Sequence, residues 1–103
     1  MRINVGQRLR SQVDSTELIV TRASSEEVDL RCGGAELIEL GHPPTAEPQV
    51  LAVPEAPEPR LGKRYRDPDG AVELLVTKAG TGVLTLAGEP LIEKEAKPLP
   101  ASD

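Results

Sequence analysis

The chain has 103 residues, a formal net charge of −5 and one cysteine, and its only aromatic residue is a tyrosine. This length allows one small domain, or two very small units that share a core. The acidic balance argues against non-specific binding to nucleic acid or to anionic membranes, which need clustered lysine and arginine. With one cysteine, no apolar leader and no long apolar run, we expect a cytoplasmic protein without an internal disulfide.

The first predicted strands lie within residues 1–42, which we take as the first unit. GQRLR at 6–10 is followed by ELIVT at 17–21, a β-rich apolar run bounded by turn residues. A Cys-Gly-Gly turn at 32–34 then looks like half of a metal-binding knuckle. No sustained helical period occurs along the chain, so the sequence predicts an all-β fold.

A proline-rich linker follows at residues 43–60, with six of the ten prolines of the chain. Such density forbids helix and central strand and favours an extended path. Its middle, residues 49–53, is apolar enough to dock as an edge strand. We expect the side chains of Val50, Leu51 and Val53 to pack against the protein's own β-surface or against a partner.

The second unit is predicted at residues 61–93. GKRYR at 62–66 precedes an Asp-Pro-Asp-Gly turn at 67–70 and the strand ELLVT at 73–77. A Gly-Thr-Gly hairpin connection at 80–82 is predicted next, and then an alternating strand and a turn at 88–90. Residues 94–103 are expected to form a flexible tail.

The two units repeat each other. A shift of 56 residues aligns 6–23 with 62–79 at eight identities in eighteen positions, and a shift of 54 aligns the segments that follow. Order, spacing and chemical type all agree over some thirty residues, which indicates a tandem duplication. A unit of about 35 residues cannot bury enough surface alone, so the two should pack face to face.

The second unit resembles the desulforedoxin-like, rubredoxin-type knuckle that also forms the N-terminal domain of some superoxide reductases. That family reads roughly Gly-x-x-Tyr-x-Cys-x-x-Cys, then Val, a Gly-rich turn and Leu-x-Cys-Cys-Gly-x-x-Met. Family spacings are matched at Gly62, Tyr65, Val76, Gly80, Gly82, Leu84 and Gly88, with Leu91 in place of the methionine.

The resemblance implies a tetrahedral iron or zinc site made of four thiolates in each unit, two from each knuckle turn, and a two-fold pair of units. Here only one of the eight thiolates remains, so we expect that the metal has been lost, that no cofactor binds, and that the units form an intramolecular pseudo-dimer. The degenerate ligand positions are Ser11, Asp14, Cys32 and Gly33 in the first unit and Asp67, Gly70, Leu86 and Ala87 in the second.

Other polar residues allow two interpretations each. Cys32 is either a small half-buried remnant of the knuckle, or a reactive thiol or a ligand shared between chains. His42 is expected at the surface rather than in a catalytic pair. Residues 67–70 resemble the start of a calcium loop but lack the later acidic ligand, so they are expected to form a turn.

Basic residues surround one of the repeated strands. We expect these residues either to protect a sheet edge or to bind an acidic partner. They are Arg60, Lys63, Arg64 and Arg66, with Arg8 and Arg10 at repeat-equivalent positions.

Three functions follow from these patterns. The first is a non-catalytic interaction module, such as an accessory subunit or scaffold of a larger enzyme complex, with a larger protein as partner and homo-oligomers possible. The second is residual metal or thiol chemistry at Cys32. The third, an enzyme in its own right, is disfavoured because the chain has one His, one Cys and little to line a pocket with.

Overall fold

The computed structural model describes residues 2–45 and 50–94. Within those ranges the chain forms strands and connecting turns without a helix, so the all-β prediction is confirmed. No helix that could cross a membrane is found in this part of the chain. The strands are β1 (Arg8–Arg10), β2 (Glu17–Arg22), β3 (Leu30–Cys32), β4 (Ala35–Glu36), β5 (Ile38–Glu39), β6 (Arg64–Arg66), β7 (Glu73–Lys78), β8 (Leu84–Leu86), β9 (Glu89–Pro90) and β10 (Ile92–Lys94).

The strands build two antiparallel sheets whose orders are symmetric with respect to the sequence repeat. The six-stranded sheet has the order β10-β6-β7-β2-β1-β5, and the four-stranded sheet has the order β4-β3-β8-β9. The repeat matches β1 with β6 and each later strand with the one five further on, so both orders are the same from either end. The units join edge to edge through β2–β7 and β3–β8, rather than by the face packing alone that we expected.

Hydrogen bonds recur at equivalent positions of the two units. The Gly6 amide donates to the Val20 carbonyl at 2.8 Å, and the Gly62 amide donates to the Val76 carbonyl at 2.9 Å. A second pair crosses between the units: Gly33 donates to the Val83 carbonyl at 3.0 Å, and Ala87 donates to the Asp29 carbonyl at 2.9 Å. The sequence repeat therefore extends from residue type to backbone pairing.

Two-residue turns close the short hairpins of the four-stranded sheet. Gly33 and Gly34 have φ of 64° and 86°, and Ala87 and Gly88 have φ of 53° and 84°. Positive φ at both central residues gives the twist that a tight hairpin needs. Ala87 adopts this conformation at a steric cost that its counterpart Gly33 avoids. The second turn lies at residues 87–88, because Glu89–Pro90 already belongs to β9.

One aliphatic core is shared by both units and both sheets. Each fully buried Leu or Val side chain contributes about 1.5–3 kcal/mol, and alternation along β2 and β7 places Leu18, Val20, Leu74 and Val76 on the inner face. The cluster consists of Ile3, Leu9, Leu18, Val20, Leu30, Cys32, Leu37, Tyr65, Val72, Leu74, Val76, Leu84 and Leu91.

Three local predictions are wrong. Residues 80–82 do not close a hairpin, because they connect β7 in one sheet to β8 in the other. Residues 50–53 form no strand, and the Leu51 amide bonds to the carbonyl of Gly34 in a turn rather than to a strand. Lys94, assigned to the tail, ends β10. The turn at 67–70 is confirmed by the Gly70 amide, which donates to the Asp67 carbonyl at 3.0 Å. Predictions for residues 46–49 and 95–103 lie outside the described residues.

Candidate functional site

Three of the four degenerate ligand positions of the first unit come together. We call this group, with Thr16, the Asp14 cluster: Ser11, Asp14, Thr16 and Cys32. The Ser11 hydroxyl oxygen accepts the amides of Val13 and Asp14 at 3.1 and 3.2 Å. Asp14 accepts the Thr16 amide and the Thr16 hydroxyl, each at 3.1 Å. Ser11, Thr16 and Cys32 are buried.

The Asp14 carboxylate also bonds to the second unit. Its Oδ2 accepts the amide of Thr81 at 2.8 Å and the amide of Gly82 in a short hydrogen bond. Next to it, the Ser15 hydroxyl donates to the carbonyl of Ala79 at 2.8 Å. The connection between β7 and β8 therefore lies over residues 11–16 and 32–34, which we call the first knuckle, and is bonded to them through the Asp14 carboxylate and the Ser15 hydroxyl.

Two opposing influences act on the acidity of Asp14. Partial burial raises its pKa, but hydrogen bonds from Ser11, Gly82 and Thr16 lower it and prevail. The pKa of Asp14 therefore lies below its usual value, and the carboxylate is the form that the cluster stabilises.

Cys32 lies in this cluster with no exposed surface. Its thiol is 3.5 Å from the Gly82 carbonyl oxygen and 3.8 Å from Asp14 Oδ1. Burial raises the pKa of Cys32 to about 11, and the charge of Asp14 adds to the effect. Because the thiolate is the nucleophile and the ligand, this environment suppresses both kinds of chemistry.

The equivalent positions of the second unit lack such a cluster. Asp67 is buried, and its Oδ1 accepts the Val72 amide at 3.0 Å, so it stabilises the turn before β7. Gly70, Leu86 and Ala87 carry no side-chain donor atom. The residues present do not fit a four-thiolate iron or zinc site in either unit. Across the described ranges, no three His, Cys, Asp or Glu side chains form a group that could hold a metal ion.

The linker leaves its apolar side chains exposed. Val50, Leu51 and Val53 are 57%, 41% and 45% exposed. One backbone contact holds this segment to the first unit, because the Leu51 amide donates to the Gly34 carbonyl at 2.9 Å. The version of our prediction in which these side chains bury themselves on the protein's own sheet is therefore wrong, and the version with a partner stays a prediction.

The end of the linker packs against the second unit. The Arg60 amide donates to the Tyr65 hydroxyl at 2.9 Å, and Pro59 is buried. A cleft of about 30 Å³ remains between Pro57, Tyr65 and Leu91. Small-molecule sites are roughly 300–1,000 Å³, so the cleft is a packing gap rather than a ligand site.

The predicted basic residues do not form one uniform patch. Arg60 lies 3.7 Å from Glu93, and Arg64 lies 4.0 Å from Glu73. Arg66 donates to the carbonyls of Asp67 and Pro68 at 3.3 and 3.4 Å, and Lys63 is exposed.

Buried Glu73 also accepts Lys94 at 2.8 Å and Thr21 at 2.8 Å. The Lys94 and Thr21 bonds are the main reason that the pKa of Glu73 is lowered.

His42 lies at the surface, as the sequence predicts. Its Nε2 is 3.3 Å from Glu39 Oε2, and both side chains are largely exposed. Asp69 is exposed in the turn at 67–70.

Comparison of this chain with protein-family models, with curated protein sequences and with solved structures found no match.

Sequence reasoning missed the residues that complete the Asp14 cluster. Thr16, Thr81 and Gly82 match no ligand position, and the latter two are separated from Asp14 by 67 and 68 residues. One signal was present in the repeat itself. Thr16 is aligned with Val72, and Asp14 with Gly70, so the two halves differ where the first carries its polar cluster.

Proposed function

We propose that this protein is a non-catalytic protein–protein interaction module, an accessory subunit or scaffold of a larger complex. It descends from a tandem duplication of a desulforedoxin-like unit and has given up the metal. The symmetric strand orders of both sheets support the duplication, and the resemblance of the second unit supplies the ancestry. On its own the chain is not an enzyme.

The observation that supports this proposal most strongly is the role of the Asp14 cluster in holding the two halves of the fold together. Ser11, Asp14 and Cys32 occupy positions where thiolates hold metal in the family that the sequence resembles. Here the Asp14 oxygens accept hydrogen bonds from Thr16 and from two amides of the second unit. In this interpretation the fold is kept, but its former ligand positions now only stabilise it. A protein of this kind is expected to act through its surface.

The linker supplies a surface that such a module can use. Val50, Leu51 and Val53 are large apolar side chains that stand close together and remain exposed. Exposed apolar groups in a row favour contact with another protein. We infer that this segment contributes to partner binding.

The test is purification of the protein from its own cells under native conditions, with identification of any stoichiometric partner. We expect a complex whose yield falls when Val50, Leu51 and Val53 are changed to Ser. Val5→Ser with Leu61→Ser is a matched control, because these residues are also exposed, at 66% and 64%, but lie outside the linker. A chain recovered alone and monomeric, or turnover of a substrate by the isolated chain, would contradict the proposal.

A second candidate is residual metal or thiol chemistry, favoured by the convergence of Ser11, Asp14 and Cys32. Metal that supplies folding energy is present at close to full occupancy. Elemental analysis of the purified protein with less than about 0.1 iron or zinc per chain excludes the ligand version, a threshold set against that expectation. Retention of function in Cys32→Ser excludes the sensor version.

A further inference from the structure

The outer face of the six-stranded sheet carries a row of residues that crosses five strands. The register pairs Arg8 with Ile19, Ile19 with Leu75, Leu75 with Arg64, and Arg64 with Lys94. Directly opposed residues of neighbouring strands point to the same face. Ile19 and Leu75 are half-buried at the centre of the row, and exposed cations stand at both ends.

Positive charge on this face exceeds its own counter-charge. Glu73 is bound to Lys94 and lies near Arg64, and Glu17 lies 3.6 Å from Lys78. The remaining arginines of the face have no carboxylate partner among the described residues. The Arg8 side chain makes no hydrogen bond or ion pair there, Arg10 donates to the His42 carbonyl at 2.7 Å, and Arg66 donates only to carbonyls.

This excess of positive charge favours an acidic partner, although the chain as a whole carries a charge of −5. A second copy of this face would set arginine against arginine, which disfavours self-association through it. Nucleic acid is disfavoured because the whole chain is acidic and because Tyr65, its only aromatic residue, is buried on the inner face, where no base can stack on it. An acidic protein segment satisfies both the charge and the aliphatic centre.

The distance between the two arginines of the row determines how the carboxylates of a bound segment must be spaced. Neighbouring strands lie about 4.8 Å apart, so Arg8 and Arg64, three strands from each other, are about 14 Å apart. An extended chain advances about 3.3 Å per residue, and its alternate side chains point the same way. Two carboxylates at positions i and i+4, with an aliphatic residue at i+2, match this distance and order.

We propose that the outer face of the six-stranded sheet binds an extended acidic segment of a partner protein, with carboxylates on Arg8 and Arg64 and an aliphatic side chain on Ile19 and Leu75. This rests on the proposed interaction function and names the chemistry of its partner. The two-fold likeness of the halves lets the segment lie in either chain direction, because an arginine stands on each side of the Ile19–Leu75 pair.

The test uses the full chain and a labelled peptide that contains Glu-Ser-Val-Ser-Glu, with binding followed by fluorescence anisotropy at low and high salt. We expect Arg8→Gln with Arg64→Gln to weaken binding about tenfold, since each exposed charge pair contributes a modest amount. Arg2→Gln with Lys63→Gln removes the same charge from exposed positions off the row, and it should bind like the parent. Thermal unfolding of each variant verifies that it is folded.

Several outcomes overturn the proposal. These are failure of the parent to bind the peptide, equal loss in both double variants, equal binding of a peptide with adjacent glutamates, and tighter binding of an oligonucleotide or of anionic vesicles. The proposed function fails separately, when the native chain has no partner. If a native partner binds the Arg8→Gln, Arg64→Gln variant unchanged, the interaction function stands and this face is not its site.

Discussion

The first knuckle and the equivalent residues of the second unit, 67–72 and 86–88, which we call the second knuckle, stabilise the fold in different ways. The first knuckle surrounds Asp14 with hydroxyls, a thiol and amides from the other half. The second has Asp67 bonded within its own turn and aliphatic groups at Val72 and Leu86. Equivalent positions of the repeat thus bond the two halves together in the first knuckle and serve ordinary packing in the second.

The corresponding connections of the two halves differ in length. The first knuckle is covered by the short Gly80–Thr81–Gly82 connection, whose amides reach the Asp14 carboxylate. In the first unit the corresponding connection has four residues, 24–27, where the second unit has two, Gly80 and Thr81. A carboxylate is favoured where several amides approach it, because a charged acceptor with several donors is among the stronger hydrogen-bonding arrangements.

Removal of the Asp14 carboxylate is expected to have the largest effect. Asp14→Ala leaves the amides of Thr16, Thr81 and Gly82 without their acceptor, so we expect the free energy of unfolding to fall by about 3 kcal/mol. Asp69→Ala is the matched control, because Asp69 is exposed in the second knuckle, and it should change stability by less than about 0.5 kcal/mol. Urea unfolding measures both. Equal effects would mean that the two knuckles do not differ as described.

Close packing over the first knuckle gives the second prediction. A Cβ at Gly82 would lie 2.8 Å from the Gly33 amide nitrogen and 2.9 Å from both Asp14 Oδ2 and Cys32 Sγ. Gly82→Ala should therefore cost about 2 kcal/mol, as expected for overpacking. In the Asp14→Ala background the same change should cost less, because one of the three close contacts is gone. If the two substitutions lower the free energy of unfolding additively, as measured by urea unfolding, the close contact between Gly82 and Asp14 would be contradicted.

How far the sequence could predict this structure depends on the range of the interactions. ELIVT and ELLVT predicted β2 and β7 because apolar β-rich runs between turn residues need only local information. The hairpin assigned to residues 80–82 was wrong because glycine marks a turn without telling which sheet the next strand joins. Asp14 was identified through its spacing, whereas its bonds to Thr81 and Gly82 depend on a juxtaposition that no local pattern contains.

A third prediction compares Glu73 with its repeat counterpart Glu17. The pKa of Glu73 is lowered, chiefly by its bond with Lys94, and that of Asp14 is lowered as well. A carboxylate whose pKa is depressed by folding stabilises the protein above its unfolded pKa, about 4, and this contribution disappears as the pH falls through the folded pKa. We expect acid unfolding to begin below about pH 4.

Substitutions separate the two glutamates. Glu73→Gln should reduce the acid dependence of stability more than Glu17→Gln, because Glu73 is buried and bonded to Lys94 and Thr21, whereas Glu17 has one contact at 3.6 Å with Lys78. Thermal unfolding between pH 2 and 7 measures the slope. A larger effect of Glu17→Gln would contradict this prediction, because it would mean that Glu17 contributes more than Glu73 to the pH dependence of stability.

The last prediction concerns the rate at which the Cys32 thiol is chemically labelled. This rate measures directly how well the first knuckle shields the thiol. The pKa of the thiol is raised from 9.0 to about 11, so at pH 8 the thiolate is about 100-fold scarcer than in the unfolded chain. Iodoacetamide should therefore modify the native protein at least about 100-fold more slowly than the protein in guanidinium chloride, and burial should slow it further. Asp14→Ala should speed labelling of the folded protein, because loss of the bonds to Thr81 and Gly82 loosens the connection that covers the thiol. Native labelling as fast as in denaturant would mean that the first knuckle is open, and that Cys32 is available for the thiol chemistry that its burial argues against.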